Sequence, residues 1–359
     1  GYAFKPSDWS DIGIPIIRIQ DLTGNSYQAN RYNGEYDKRY EIHDGDVLIS
    51  WSASLGVYVW TGEKAVLNQH IFKVVFNKVE VDKSFFVHQV RNMLENAASQ
   101  AHGATMKHLT KPVFDALPFN LPSVVEQQRI SSVLDKLTNL ISLRKQQLAK
   151  LDELVKARFV EMFGDLSINS MGWEFQKLSS LCDVRDGTHD SPEYQNEGYP
   201  LLTSKNFSSG IIDFSDCNLI CEEDFEMINR RSKVDYGDII MPMIGTIGHP
   251  VIVDTDRPFA IKNVALIKFN NKEISNIFVK TVLDSDYFLN VTTANNRGGT
   301  QKFIALGDIR NIPIPIVPKE LQIEFADFVK EVDRQKLTIQ QSLDKLEVLR
   351  KSLMQEYFG

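Results

Sequence analysis

The chain has 359 residues, enough for two or three separate cores, with 43% apolar and 24% charged residues. Its net charge of −7 argues against a general nucleic-acid coat, and with no apolar run long enough to cross a bilayer and no charged-then-apolar leader, a cytoplasmic chain is the default. Three cysteines, Cys182, Cys217 and Cys221, are too few for a disulfide framework, and the last two have no second Cys or His pair at metal-ligand spacing.

In chain order, short apolar segments bounded by Gly, Pro, Asn and Asp predict strands at Ile14 to Ile19, Val47 to Trp51, Val57 to Trp60 and Val66 to Phe76. A helix is expected from Lys83 to Ser99, then a Pro-rich extended strap from Leu117 to Pro122. About forty residues without Pro or Gly follow, from Ser123 to Phe163. The order then recurs: strands at Tyr199 to Thr203, Ile239 to Met243, Val251 to Asp254 and Ala260 to Phe269, a helix from Ile274 to Leu289, a strap from Ile312 to Pro318, and a second long helix from Lys319 to Phe358.

The recurrence extends to single residues. At a displacement of 195, Ala65 meets Ala260, Asn68 meets Asn263, Thr105 meets Thr300, Lys107 meets Lys302, Gln127 meets Gln322 and Phe163 meets Phe358, with no gap needed. Upstream, Gly13-Ile14-Pro15 meets Gly198-Tyr199-Pro200 and Gly45-Asp46-Val47 meets Gly237-Asp238-Ile239 at other displacements, which marks loops of unequal length. The second copy has about twenty residues after Gly164, including Trp173, Leu178 and Leu181, before the level at which Gly1 opens the first. The first copy is therefore expected to lack an opening strand, and the sequence an N-terminal stretch.

Ile130, Leu137 and Leu151, and likewise Phe325, Val332, Ile339, Leu346 and Leu353, fall on a seven-residue spacing, the pattern of helices wound on each other. Each helix would span about 60 Å. The short link after Gly164 favours an antiparallel pair with a globular part at each end; two helices inside one ordinary bundle is the alternative. The boundaries so drawn are 1–121, 122–164, 165–317 and 318–359, carrying Lys plus Arg against Asp plus Glu of 12 to 13, 7 to 5, 14 to 21 and 7 to 8. Acidity is concentrated in the second globular part, so nucleic-acid contact there needs a local basic surface drawn from Lys205, Lys262, Arg297 and Lys302.

Catalytic patterns are missing: there is no phosphate loop, dinucleotide glycine fingerprint, His-Glu-x-x-His, nucleophile elbow or Asn-Pro-Pro-aromatic tetrapeptide. Two five-residue segments, Gly103 to Lys107 and Gly298 to Lys302, each combine permissive backbone, a hydroxyl and a cation, a set suited to phosphate oxygens and also compatible with a plain turn. Thr105 and Lys107, then Thr300, Gln301 and Lys302, are the candidates there. In matching strand–turn–strand segments Ser54 faces Thr246 and Gly56 faces Gly248, with Ser52 in the same segment as Ser54; these are candidates for contact, and simple hairpin chemistry is the alternative. Arg18, Gln20, Asn68, Gln69 and His70 in the first copy, and His189, Ser204, Lys205, Asn206, Asn263 and Arg297 in the second, carry groups able to contact base edges or phosphates, as does Lys5.

Gly1 to Lys5, Gly13 to Ile19, Gly45 to Ser50, Thr300 to Ile304, the Pro straps, Glu126 to Ile130 and the Phe163-Gly164 ending together resemble the specificity subunits of Type I restriction–modification systems over nearly the whole chain. The resemblance implies an α+β chain of two tandem mixed α/β target recognition domains, separated by two long antiparallel coiled-coil helices in a pseudo-twofold repeat. It implies recognition of an asymmetric bipartite double-stranded DNA target, with no catalysis and no cofactor in this chain. Implied partners are two methyltransferase subunits carrying S-adenosylmethionine and motor-nuclease subunits carrying ATP and Mg chemistry, with no membrane. Met106 stands where the second copy has Gln301, a departure between the two loops. Rival readings are a specificity chain serving a fused restriction–methylation enzyme, and a duplicated scaffold that binds no DNA.

Overall fold

The computed structural model describes residues 1–25, 30–52, 54–100, 111–207, 210–244, 248–269, 273–293 and 304–359. These form two compact units, Gly1–Gln146 with Gln340–Gly359, and Gln147–Ile339.

The first unit contains β1 (Ile14–Ile17), α1 (Ile19–Leu22), β2 (Arg31–Tyr32), β3 (Glu41–Ile42), β4 (Val47–Ser50), β5 (Gly56–Val59), β6 (Ala65–Leu67), β7 (Ile71–Lys73), α2 (Lys83–Gln100), α3 (Lys111–Asp115) and the start of α4 (Val124–Phe163). One sheet runs β2-β1-β6-β3 and the other β5-β4-β7, with β1 and β6 parallel and the other neighbours antiparallel.

The second unit contains β8 (Glu174–Lys177), α5 (Leu178–Leu181), β9 (Asp183–Asp186), β10 (Tyr199–Leu202), β11 (Asn218–Ile220), α6 (Glu222–Ser232), β12 (Ile239–Pro242), β13 (Val251–Ile252), β14 (Ala260–Ile261) and β15 (Val264–Lys268). It continues through α7 (Asn276–Leu283), α8 (Asp286–Thr293), α9 (Leu306–Arg310), β16 (Pro313–Ile316) and the first half of α10 (Lys319–Phe358). Its sheets are β11-β10-β14, β13-β12-β15-β9 and β16-β8. The parallel pair recurs as β10 with β14.

Local chemistry explains where elements stop. Gly13 (φ +102°) and Gly198 (φ +142°) open β1 and β10, where a Cβ would lie 2.1 Å from the Tyr32 carbonyl oxygen and 2.2 Å from that of Ile220. β1 ends at Ile17 rather than Ile19 because the Asp21 carboxylate accepts from Arg18 N (2.7 Å) and starts a helical turn. The expected single strands 66–76 and 260–269 are each two strands in different sheets, divided at His70 (φ +73°) and Asn263 (φ +56°). The expected helix 274–289 breaks at Asp284, where the Ser285 hydroxyl donates to the Val282 carbonyl (2.6 Å) and Asp286 opens α8. The second strap is β16, paired with β8; the first strap has no strand among the described residues.

The gap-free register also fails locally. Asn68 N donates to Ile17 O as Lys262 N donates to Leu202 O, and Gln69 N donates to Tyr2 O as Asn263 N donates to Thr188 O. Gln69, not Asn68, therefore occupies the place of Asn263, and His70 is the extra residue of the first copy.

Each long helix is pinned to a globular part by a buried glutamine. Gln127 Oε1 accepts from Asp82 N (2.9 Å) while its Nε2 donates to Pro122 O (2.8 Å). Gln322 Oε1 accepts from Ser275 N (2.8 Å) while its Nε2 donates to Val317 O (3.1 Å). Asp82 and Ser275 in turn cap α2 and α7 by accepting from Phe85 N and Phe278 N. In the first unit Ile130 and Leu134 of α4 pack with Phe85 against Leu353, Tyr357 and Phe358 near the end of α10. In the second, Phe159 and Phe163 near the end of α4 pack on Phe325 near the start of α10 and on Phe278. The helices are thus antiparallel within each unit. Lys145 and Asp152 pair across the two helices with Glu347 (2.8 Å) and Lys336 (2.6 Å).

Candidate nucleic-acid interface

In an open sheet, backbone groups and side chains just past the carboxyl ends of parallel strands converge on one edge. In the first unit the ends of β1 and β6 bring Arg18 and Gln20 beside Asn68, Gln69 and His70, and Tyr2 joins them by donating its N–H to Leu67 O (2.8 Å). Trp51, past the end of β4, donates its N–H to His70 O (3.1 Å) and meets the His70 ring edge-on at 4.7 Å. In the second unit the ends of β10 and β14 bring Ser204, Lys205 and Asn206 together with Lys262 and Asn263, and the Gly187-Thr188-His189 loop lies against them through Thr188 N to Ile261 O (3.0 Å). Residues scattered over the sequence are gathered at one edge in each unit by the same ladder.

Their availability differs. Asn206 is buried and its amide is filled by the chain itself: Oδ1 accepts from Thr203 N and Oγ1, and Nδ2 donates to the Asp213 and Asp216 carbonyls. This corrects the expectation of a base contact, because no donor or acceptor is left over. Ser52 is likewise buried. Lys205 is exposed and pairs with exposed Asp216 at 3.0 Å, a contact that a phosphate can displace. Arg18 pairs with Asp21 (3.5 Å), lies 5.8 Å from the Trp9 ring, and reaches the Gln20 amide oxygen (3.0 Å) when that amide is oriented to accept. Ser54, Gln69 and Lys5 are exposed, Lys5 on the same N-terminal segment as Tyr2, while Ser204 is half-buried. Thr105, Lys107, Thr246, Arg297, Thr300, Gln301 and Lys302 lie outside the described residues.

Sequence reasoning missed the support behind these groups. His189 Nδ1 sits 2.8 Å from Asn263 Oδ1 and its Nε2 2.9 Å from Asp186 Oδ2. These two hydrogen bonds, that to Asn263 foremost, raise the imidazole's proton affinity. Asp186 is buried and also paired with Arg231. Lys262, nearly buried, donates to Ser191 Oγ at 2.6 Å. The Asp-Gly-Thr-His run was the available signal, but Arg231 and Ser191 are distant in sequence and carried none.

Among the described residues no three His, Cys, Asp or Glu side chains are grouped to hold a metal ion. Burial pushes the Cys182 thiol up to about 12, while the Cys217 and Cys221 thiols donate to the Phe214 carbonyl and the Asp224 carboxylate. No helix among the described residues is long and apolar enough to cross a membrane.

Comparison with known proteins agrees with this architecture. The "Type I restriction modification DNA specificity domain" family matches residues 2–153 and again 171–348. The EcoBI specificity subunit of Escherichia coli is 24% identical over 363 residues, covering 92% of this chain and 76% of that protein. The MjaVIII specificity subunit of Methanocaldococcus jannaschii is 23% identical over 345 residues, covering 91% and 81%. The crystal structure of a Type I system S subunit from M. genitalium shares the fold, with a TM-score of 0.57 at 15% identity over 100% of this chain and 92% of that one. With two copies of the family domain and the paired long helices between and after them, the chain belongs to the specificity subunits of Type I restriction–modification systems, the non-catalytic components through which DNA targets are recognised.

Proposed function

We propose that the chain recognises an asymmetric, split double-stranded DNA sequence, one half read by each unit, and so directs adenine methylation and restriction carried out by partner subunits. The observation that carries this reading is the doubled edge past the parallel strands: the same ladder presents Arg18, Gln69 and His70 in one unit and His189, Lys205 and Asn263 in the other. A shared scaffold bearing different donors and acceptors suits two different half-sites. The continuous forty-residue helices would set the unspecified gap between them. In this reading residues 1–121 and 165–317 are the recognition domains and 122–164 and 318–359 the helical spacers. Two methyltransferase subunits would supply S-adenosylmethionine, and motor-nuclease subunits ATP and Mg chemistry.

Modified-base sequencing of the source genome with and without the gene tests it: methyladenine is expected to disappear from one split motif with a constant gap. Methyl transfer by the purified chain without partners would overturn it. Lys107→Ala and Lys302→Ala are each expected to weaken binding to all sequences alike and to reduce the salt slope by about one unit. An altered half-site preference at constant slope would make these lysines base readers instead.

A further inference from the structure

We propose that His189 and Asn263 form a proton-coupled pair in which the proton on His189 Nδ1 decides whether Asn263 offers DNA a hydrogen-bond donor or an acceptor. The inference rests on the reading above that this edge meets the duplex. Its basis is a conflict of hydrogen-bonding roles. Asp186, buried at the end of β9 and held by Arg231 from α6, is a carboxylate and can only accept, so His189 Nε2 carries a proton. Nδ1, 2.8 Å from Asn263 Oδ1, also faces an acceptor. With the amide presenting Oδ1, both ring nitrogens must donate and the ring is the imidazolium.

Loss of the Nδ1 proton would set two acceptors against each other. The surrounding backbone cannot absorb this: Asn263 N donates to Thr188 O (3.1 Å), Thr188 N donates to Ile261 O (3.0 Å), and Gly187 lies so close that a Cβ would be 2.4 Å from Ile261 O. The movable part is the Asn263 amide, which can turn over and donate from Nδ2 to the bare Nδ1. With His189 charged, Asn263 turns Nδ2 outward, a donor suited to purine N7 or thymine O4; with His189 neutral it turns Oδ1 outward, an acceptor for the amino groups of adenine or cytosine. The charged groups facing the ring are Asp186 and Arg231, with Asp190 next in the loop and Lys262, bonded to Ser191, beside Asn263.

The first unit has no such pair. By the shared ladder Tyr2 stands at the place of Thr188, Gln69 at that of Asn263, and Ala3, with nothing to titrate, at that of His189. The switch made by this pair is therefore confined to one half-site.

The test is selection of bound sequences from a randomised duplex pool by the full chain in its methyltransferase complex, at about pH 6 and about pH 8.5. The expected result is a change of about fivefold or more in base preference at one position of one half-site, with the other half-site constant. His189→Gln, at an exposed position, is expected to bind DNA with the same preference at both values. Selection of the same sequences by the wild type at both values, or equal shifts in both half-sites, would overturn the proposal while leaving DNA recognition intact. Selection of no sequence at either value would overturn the underlying reading.

Discussion

The two units each place a lysine on the equivalent aspartate, Asp46 in one and Asp238 in the other, at different depths. In the first, Lys73 Nζ meets Asp46 at 2.7 Å and donates to Glu41 O, with the two side chains 26% and 23% exposed. In the second, Lys268 Nζ meets Asp238 at 2.7 Å, donates to Lys233 O and also reaches Asp235 at 2.8 Å, with Lys268 and Asp238 only 8% and 6% exposed. The ladders are not equivalent here, since Lys73 lies opposite Leu48 while the matching Ile240 faces Leu266. Lys268 reaches the aspartate from two positions further along. Opposed effects act on it: burial lowers its proton affinity, and the bonds to Asp235 and Asp238 raise it with a net rise. An ion pair matters to a fold in proportion to what its loss would strand out of water, so one motif has two different weights in one chain.

The sharpest way to break this contrast is to remove each lysine. Lys268→Met is expected to cost about 3–5 kcal/mol, because it leaves Asp238 charged and buried. Lys73→Met is expected to cost about 1 kcal/mol or less, because water reaches both groups. Denaturant melts, with hydrogen exchange on β12 and β15 against β4 and β7, would separate the two; equal costs would sink the argument from depth. A smaller effect should be alike in both units. Gln127→Ala and Gln322→Ala each leave a half-buried backbone N–H, of Asp82 and Ser275, without its acceptor and should cost about 1–3 kcal/mol. A large inequality would mean that one helix is held by something besides its glutamine.

The smallest effect is one of pH, and its sign differs between the units. His88, buried in the first unit and bonded to Asp135 at 2.7 Å, has its proton affinity lowered chiefly by burial. It binds fewer protons folded than unfolded, so its contribution is present above about pH 6.5 and is lost as pH falls toward its lower folded value. His189 is shifted upward, so its contribution is complete below about pH 6.5 and is lost as pH rises through its folded value. Thermal midpoints of His88→Gln and His189→Gln across this range should diverge from the wild type at opposite ends.

Much of this was legible in the chain. The duplication, the two forty-residue helices and the Gly-Asp turns depend on patterns a few residues long, or on identity between copies. The edge that gathers the candidate residues was legible only as a set of residue types. Asn206 illustrates the limit: its type suits a base edge, yet the fold spends all of its hydrogen bonds on the 203–216 loop. Trp51, Arg231 and Ser191 show the converse, since nothing in their local sequence ties them to His70, Asp186 and Lys262.

Sequence alone determined the family, the repeat, the helix lengths and the positions where only glycine or a capping side chain can sit, because each follows from local sterics and periodicity. Tertiary structure decided which candidate side chains remain free, which copy of an ion pair is buried, and that Gln69 rather than Asn68 matches Asn263. These depend on strand register and on burial, which are set by partners distant along the chain and change with a single inserted residue such as His70.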